Sequence, residues 1–228
     1  MLLQKIEDLG LFDNTAVIFT SDHGFYLGEH GLIGKAIINK DLFEYVPLYE
    51  EVARIPLLMW LPGLHSPFRC SCFAQPPDIT ATILDIAGIK KNERIQGNSL
   101  LPIIEKKTSA LRDIAVSSPS LIHGSLGSPR ITIRQENWSL ILAPSLIEEQ
   151  TRETKAVDGI SRKLAGIKLK DSSAILKSEL YNLSVDPHQE HNLFDPKNDI
   201  VRKIHCDFLE FLKKVEILEE HLRSWQKP

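Results

Sequence analysis

The stretch from Thr15 to Lys35, TAVIFTSDHGFYLGEHGLIGK, constrains this chain more than any other. Its apolar, β-branched start, Val17-Ile18-Phe19-Thr20, predicts a buried strand that runs straight into Asp22-His23-Gly24. A buried strand delivering polar groups at its end is how α/β sheets place their sites. Gly24, Gly28, Gly31 and Gly34 then stand among Glu29, His30 and Lys35, too many glycines for a stable helix and too much charge for a core strand. The segment is expected to be a loop bearing functional groups.

The flanking patterns predict an α/β arrangement. Leu2, Leu3, Ile6 and Leu9 recur at helical spacing before Gly10, and Pro47 to Ala53 has the look of a short helical turn with Pro near its first position. Pro56 to Leu61 is a second apolar run, closed by Pro62-Gly63, and two buried strands joined through a loop and helix fit a βαβ-like sheet. The intervening AIINKDLFEYV carries no assignable pattern. A further helix opens at Pro77-Asp78-Ile79, with Ile79, Ile83, Leu84, Ile86 and Ala87 on its packed side and Gly88 at its end; Ser99 then caps another short one. Near Arg112 the pattern changes to short strands, which divides the chain into residues 1–112 and 113–228. In the second part Ile114 to Ser117, Arg130 to Arg134 and Trp138 to Leu142 are predicted strands, the last two forming a hairpin. A charged connection over about 145–178 leads to a last strand at Glu179 to Leu183 and an amphipathic helix from about Ile200 to Trp225.

With 228 residues the chain can bury roughly 70% of its unfolded surface. Its formal net charge of -3, from 27 basic and 30 acidic residues, gives no electrostatic case for nucleic acid or an anionic membrane as partner. No apolar run approaches the roughly 20 residues of a membrane span, and Lys5, Glu7 and Asp8 interrupt the N-terminus in a way a secretory leader does not. Cys70, Cys72 and Cys206 make neither a disulfide framework nor zinc-finger spacing and are expected to be buried or incidental thiols.

Asp22 and His23 can turn toward one point at a strand end. As a metal pair they combine a carboxylate suited to calcium or magnesium with an imidazole more at home on transition metals, so the pair does not choose its ion. As structural residues, Asp22 caps a turn and His23 packs or faces water. Lys35 follows a glycine that permits close approach of an anion, and is either a point charge for ester oxygens or a solvated lysine. His30 has the same two readings, proton donor to a leaving group or plain loop histidine.

Taken in order, FTSDHGFYLGEHGLIGK, LYEEVARIPLLMWLPG, DITATILDIAGI, IQGNSLLPII, IRQENWSLI and ELYNLSVDPHQEHNLFDP resemble the arylsulfatase-like sulfatase family of the alkaline phosphatase superfamily. The blocks cover about Asn14 to Pro196. The resemblance implies part of an alkaline-phosphatase-like sheet with flanking helices, then a small antiparallel sheet and a C-terminal helix. It implies hydrolysis of sulfate esters of small molecules or saccharides, assisted by a divalent cation, usually calcium. Asp22 matches the family's cation-binding carboxylate, His23 the neighbouring ligand, and Lys35 the lysine that holds sulfate oxygens. Relatives in the same superfamily that cleave phosphodiesters or phosphonate monoesters share these features, and a non-catalytic remnant that binds a partner or anion is a third reading.

The chain departs from the family at the nucleophile. The family converts a Cys or Ser to formylglycine in a segment preceding the DHG strand, whereas fourteen residues precede Thr15 here. Cys70-Ser71-Cys72 has no Pro or Arg in the needed places, and in Ser117-Ser118-Pro119-Ser120 a leucine, Leu121, stands where Arg is required. The chain is therefore expected to be the C-terminal half of a sulfatase, inactive alone, with exposed strand edges and the N-terminal half as a partner.

Overall fold

The apolar run at Val17 forms a strand, the glycine-rich segment after it folds into one hairpin, and Ala36 to Tyr45 supplies the strands of a second. The computed structural model describes residues 2–39, 42–45, 47–64, 66–118, 130–144 and 177–228. Within them the strands are β1 (Val17–Thr20), β2 (Tyr26–Leu27), β3 (Ile33–Gly34), β4 (Ala36–Asn39), β5 (Leu42–Tyr45), β6 (Leu57–Trp60), β7 (Ile114–Ser117), β8 (Ile131–Gln135), β9 (Trp138–Leu142) and β10 (Glu179–Asn182). Most of the predicted connection over 145–178, and the residues from Pro119 to Leu121, lie outside the described residues.

β1 and β6 pair, but antiparallel, with Val17 opposite Trp60 and Thr20 opposite Leu57. The βαβ expectation fails here because the intervening chain folds back on itself twice, β2 on β3 and β4 on β5. The helix in the connection, Glu50–Ala53, is a single turn, starting three residues beyond Pro47. Hairpins return the chain to the end it left, which favours antiparallel pairing, whereas a parallel partner needs a crossover, usually a longer helix. Neither strand is buried as predicted. Directly opposed residues share a face, so Val17, Phe19, Leu58 and Trp60 line one side, on which Phe19 and Leu58 are 61% and 59% exposed. The helix Leu2–Asp8, where the sequence predicted it, buries no residue.

The main core lies in the second part of the chain. A four-stranded antiparallel sheet, ordered β10-β9-β8-β7, packs Ile131, Ile133, Leu140, Leu142 and Leu180 against Val201, Ile204, Phe208 and Leu212 of the helix Asp199–Lys214. The predicted hairpin is present, with Gln135 opposite Trp138 and Glu136 in left-handed backbone at φ 49°. Asn198 caps the helix by accepting the Ile200 N–H at 2.9 Å. The helix stops at Lys214 instead of running to Trp225, because Glu216 is left-handed (φ 55°) and the Ile217 N–H turns back to the Leu212 carbonyl. That reversal returns Trp225 to Phe208, with ring centroids 6.1 Å apart, and its carbonyl accepts from His205 Nε2 at 2.7 Å.

The helix Pro76–Ile86 forms as predicted and ends before a left-handed Gly88, but with its packed side rotated. Asp78, Ala81 and Thr82 are buried, while Ile83 and Ile86 are exposed. The cause is Asp78, fully buried, whose carboxylate accepts from the backbone N–H groups of Gln75 and Asn98, both at 2.8 Å, and from Arg112 at 2.5 Å. Ser99 accepts the Leu101 N–H at 3.2 Å, at the start of the helix Leu101–Ile104. Cys70 and Cys206 are exposed and Cys72 is half-buried, so the thiols are not the core groups their residue type suggests. No helix among the described residues is long and apolar enough to cross a membrane.

Candidate functional site

Strand β1 ends at Thr20, and the next residues bend so that Asp22 and His23 leave the strand on the same side. The Ser21 hydroxyl donates to the His23 carbonyl at 2.7 Å, and the His23 N–H donates to Asp22 Oδ1 at 3.0 Å. Gly24 and Phe25 are pinned from outside, their N–H groups donating to the carbonyls of Val52 (2.9 Å) and Glu51 (3.0 Å). The bend is therefore shaped as much by the helical turn Glu50–Ala53 as by its own sequence.

The hairpin of β2 and β3 then brings Lys35 back. Tyr26 pairs with Gly34, and at the tip the Leu27 N–H donates to Glu29 Oε2 at 2.6 Å. That bond holds the Glu29 carboxyl below its usual range. Lys35, next in sequence to β3, places its ammonium 2.6 Å from His23 Nε2. Residues twelve apart in sequence thus meet, and the three predicted site residues share one surface: Asp22 Oδ2 is 3.4 Å from His23 Nε2.

The proton on His23 is fixed by its neighbours. Nδ1 lies 2.7 Å from the Gly24 carbonyl and donates to it, which leaves Nε2 as the lone pair facing Lys35. A ligand histidine ordinarily shows this pattern, with one nitrogen donating to a carbonyl and the other free to coordinate. Desolvation raises the Asp22 pKa, but the backbone N–H groups of Asp22 and His23 and the nearby positive charge, Lys35 included, together outweigh it, so this exposed carboxyl lies below its ordinary value and is ionised near neutrality. An ionised carboxylate beside an imidazole lone pair suits a divalent cation, and Lys35 competes for that lone pair. The fit is partial: among the described residues no group of three or more His, Cys, Asp or Glu is arranged to hold a metal.

His30 lies elsewhere. It occupies the 3-10 turn Glu29–Gly31 in left-handed backbone (φ 55°), its ring stacks on Tyr49 at 3.8 Å, and Nε2 is 3.5 Å from Glu51 Oε2. Glu51 is the residue that sequence reasoning missed. The sequence places it in a helical turn, and the signal it carries is a pair of adjacent glutamates, Glu50 and Glu51, inside the largely apolar LYEEVARIP.

Comparison with known proteins finds similarity to sulfatases. The Sulfatase family model matches residues 1–89, which hold all three site residues. The chain is 36% identical over 107 residues to the N-acetylglucosamine-6-O-sulfatase of Bacteroides thetaiotaomicron, covering 46% of this chain and 17% of that protein. Human arylsulfatase K is 30% identical over 145 residues, covering 61% of this chain and 25% of the relative. The crystal structure of the putative sulfatase yidJ from Bacteroides fragilis superposes with a TM-score of 0.69 at 19% identity, over 100% of this chain and 41% of that one, a likeness of fold. The chain thus spans a quarter or less of these two curated relatives.

Proposed function

The chain belongs to the sulfatase family of the alkaline phosphatase superfamily, and from that premise we propose that Asp22, His23 and Lys35 form the cation-binding and sulfate-holding side of a sulfuric ester hydrolase site. The observation that carries the reading is the 2.6 Å approach of Lys35 Nζ to His23 Nε2, with Asp22 Oδ2 3.4 Å from the same nitrogen. Asp22 and His23 would hold the cation, calcium in this reading, which when bound would draw charge from the sulfuryl group. His23 presents Nε2 because Nδ1 is tied to the Gly24 carbonyl. Lys35 offers an ammonium with three donors on a flexible stem, so a cation that takes the His23 Nε2 lone pair would release it to direct a bond at a sulfate oxygen as negative charge develops.

The substrate class in this reading is a sulfated saccharide, supported by likeness to the N-acetylglucosamine-6-O-sulfatase. Formylglycine, the family's nucleophile, would come from a separate sulfatase segment seated on the apolar side of β1 and β6, where Phe19, Leu58 and Trp60 are exposed. By itself the chain is expected to give no turnover of an aryl sulfate with calcium; turnover abolished by Lys35→Ala would show instead that it is active alone.

Calorimetric titration of the chain with calcium tests the cation ligands without needing catalysis. Asp22→Ala is expected to weaken binding at least about tenfold, since a carboxylate is lost from a site with few donors. Equal binding by both proteins would remove Asp22 from the ligand set.

A further inference from the structure

The two arms of the site reach it by different routes. Asp22 and His23 arrive on β1, while Lys35 arrives on the β2–β3 hairpin. Glu51 touches both. Its carbonyl accepts the Phe25 N–H at 3.0 Å, beside the neighbouring Val52 bond to Gly24, and so fixes the arm that carries His23. Its carboxylate points at the tip of the other arm, where Oε2 lies 3.5 Å from His30 Nε2. Glu51 Oε2 is buried without a hydrogen-bond partner among the described residues, and the side chains of Glu51 and His30 are 17% and 14% exposed. An acceptor in that state has its strongest interaction with the one cation-capable ring beside it.

His30 is held ready for this contact. Gly28 and Gly31, with φ of 133° and 67°, flank it and let the tip turn sharply, and His30 itself takes φ 55°. The ring lies flat on Tyr49, centroids 3.8 Å apart and planes inclined by 15°, and edge-on to Tyr26 at 6.2 Å. The turn that carries Glu51 is anchored in its own right. Tyr49 donates its hydroxyl to Glu179 at 2.7 Å, Glu50 forms an ion pair with Arg134, and the Glu50 N–H donates to Gln189 Oε1 at 2.8 Å. The hairpin thus leans on a support tied to β8 and β10.

From this arrangement we infer that Glu51 and His30 are positioning residues: their contact ties the hairpin to the turn Glu50–Ala53 and sets the separation of Lys35 from His23. The role rests on the sulfatase reading only for its consequence, the shape of the cation and sulfate site; the coupling is a property of the chain itself. Neither residue approaches the reacting atoms in this assignment. Both act through the backbone that carries Lys35.

The test is nuclear magnetic resonance on the full chain, without cation or ester. In His30→Ala and in Glu51→Ala the ring-nitrogen resonances of His23 are expected to move, because the Lys35 ammonium no longer holds its 2.6 Å position. Amide exchange at Tyr26 and Gly34 should quicken about tenfold while Ile133 and Leu140 keep their protection. His30→Asn, which tolerates left-handed backbone and keeps an N–H donor toward Glu51, should bring exchange back to within about threefold of the parent. His23 resonances unmoved in both alanine variants would overturn the inference. So would quickened exchange at Ile133 and Leu140 in all three variants, which marks general loosening. Calcium titration of the parent chain separates the two readings: coupling without calcium binding leaves the positioning role standing and removes the cation role.

Discussion

A Cβ placed on Gly24 would stand 1.8 Å from the Glu51 carbonyl oxygen and 2.8 Å from its carbon, inside any permitted contact. The glycine of Asp22-His23-Gly24 is needed for this close approach, by which the Glu50–Ala53 turn reaches the backbone of the bend. Gly24→Ala must push the turn away and break the two bonds from Gly24 and Phe25. The expected cost is about 1–3 kcal/mol in urea denaturation, with disturbed His23 resonances. An unchanged midpoint together with an unchanged His23 spectrum would show that the turn does not seat as described. His23 shows the same dependence on neighbours, since its tautomer follows from one carbonyl at 2.7 Å.

Among the elements, the helix Pro76–Ile86 shows how a single buried charge overrides an apolar pattern. Its isoleucines at 83 and 86 predict one packed face, yet the buried face is the one bearing Asp78. Burying the carboxylate is tolerated because Gln75, Asn98 and Arg112 satisfy it together, and the Thr82 hydroxyl adds a bond to the Asp78 carbonyl at 2.6 Å. Asp78→Ala would leave the Arg112 guanidinium, 17% exposed, without this partner. We expect a loss of about 3–5 kcal/mol in chemical denaturation, and a loss below about 1 kcal/mol would show that the pair is solvated in solution. The β1–β6 ladder is the opposite case, a two-stranded element with an apolar face left open, marginal alone and dependent on what covers it.

Across the whole molecule, the site-bearing part and the antiparallel sheet meet in a cluster of tyrosines. Tyr26, Tyr49 and Val52 pack with Ile141 and Tyr181, and Glu179 accepts from both the Tyr49 and Tyr181 hydroxyls at 2.7 Å while Arg130 pairs with its other oxygen at 2.6 Å. The division expected at residue 112 is thus crossed by side chains, and we propose it as a change of architecture within one packed body. Burial pushes the Tyr26 hydroxyl up to about 12, and burial together with Glu179 pushes Tyr49 and Tyr181 upward as well. A group whose pKa rises on folding adds stability that is complete below its unfolded value, about 10 for tyrosine, and is lost as pH climbs through the folded value. Denaturation midpoints should therefore hold up to about pH 10 and fall above it, with phenolate absorbance appearing as the fold is lost. Full ionisation of all four tyrosines near pH 10 with the fold intact would contradict the burial of this cluster.

Much of this molecule was legible in its residues. Short-range periodicity located β1, β6, the β8–β9 hairpin and the starts of the helices Leu2–Asp8, Pro76–Ile86 and Asp199–Lys214, because local propensity and turn chemistry act over a few residues. The order Asp22-His23, then Gly34-Lys35, names the three candidate residues that the fold brings together. Other features depended on contacts between distant residues. The sense of the β1–β6 pairing, the rotated face at Asp78, the break after Lys214 and the support that Glu51 gives the site all arise that way. Which of two possible faces is buried, and which lysine meets which histidine, is decided when loops close and remote groups satisfy one another's hydrogen bonds. A local pattern of residue types encodes the candidates for those contacts, and the tertiary structure selects among them.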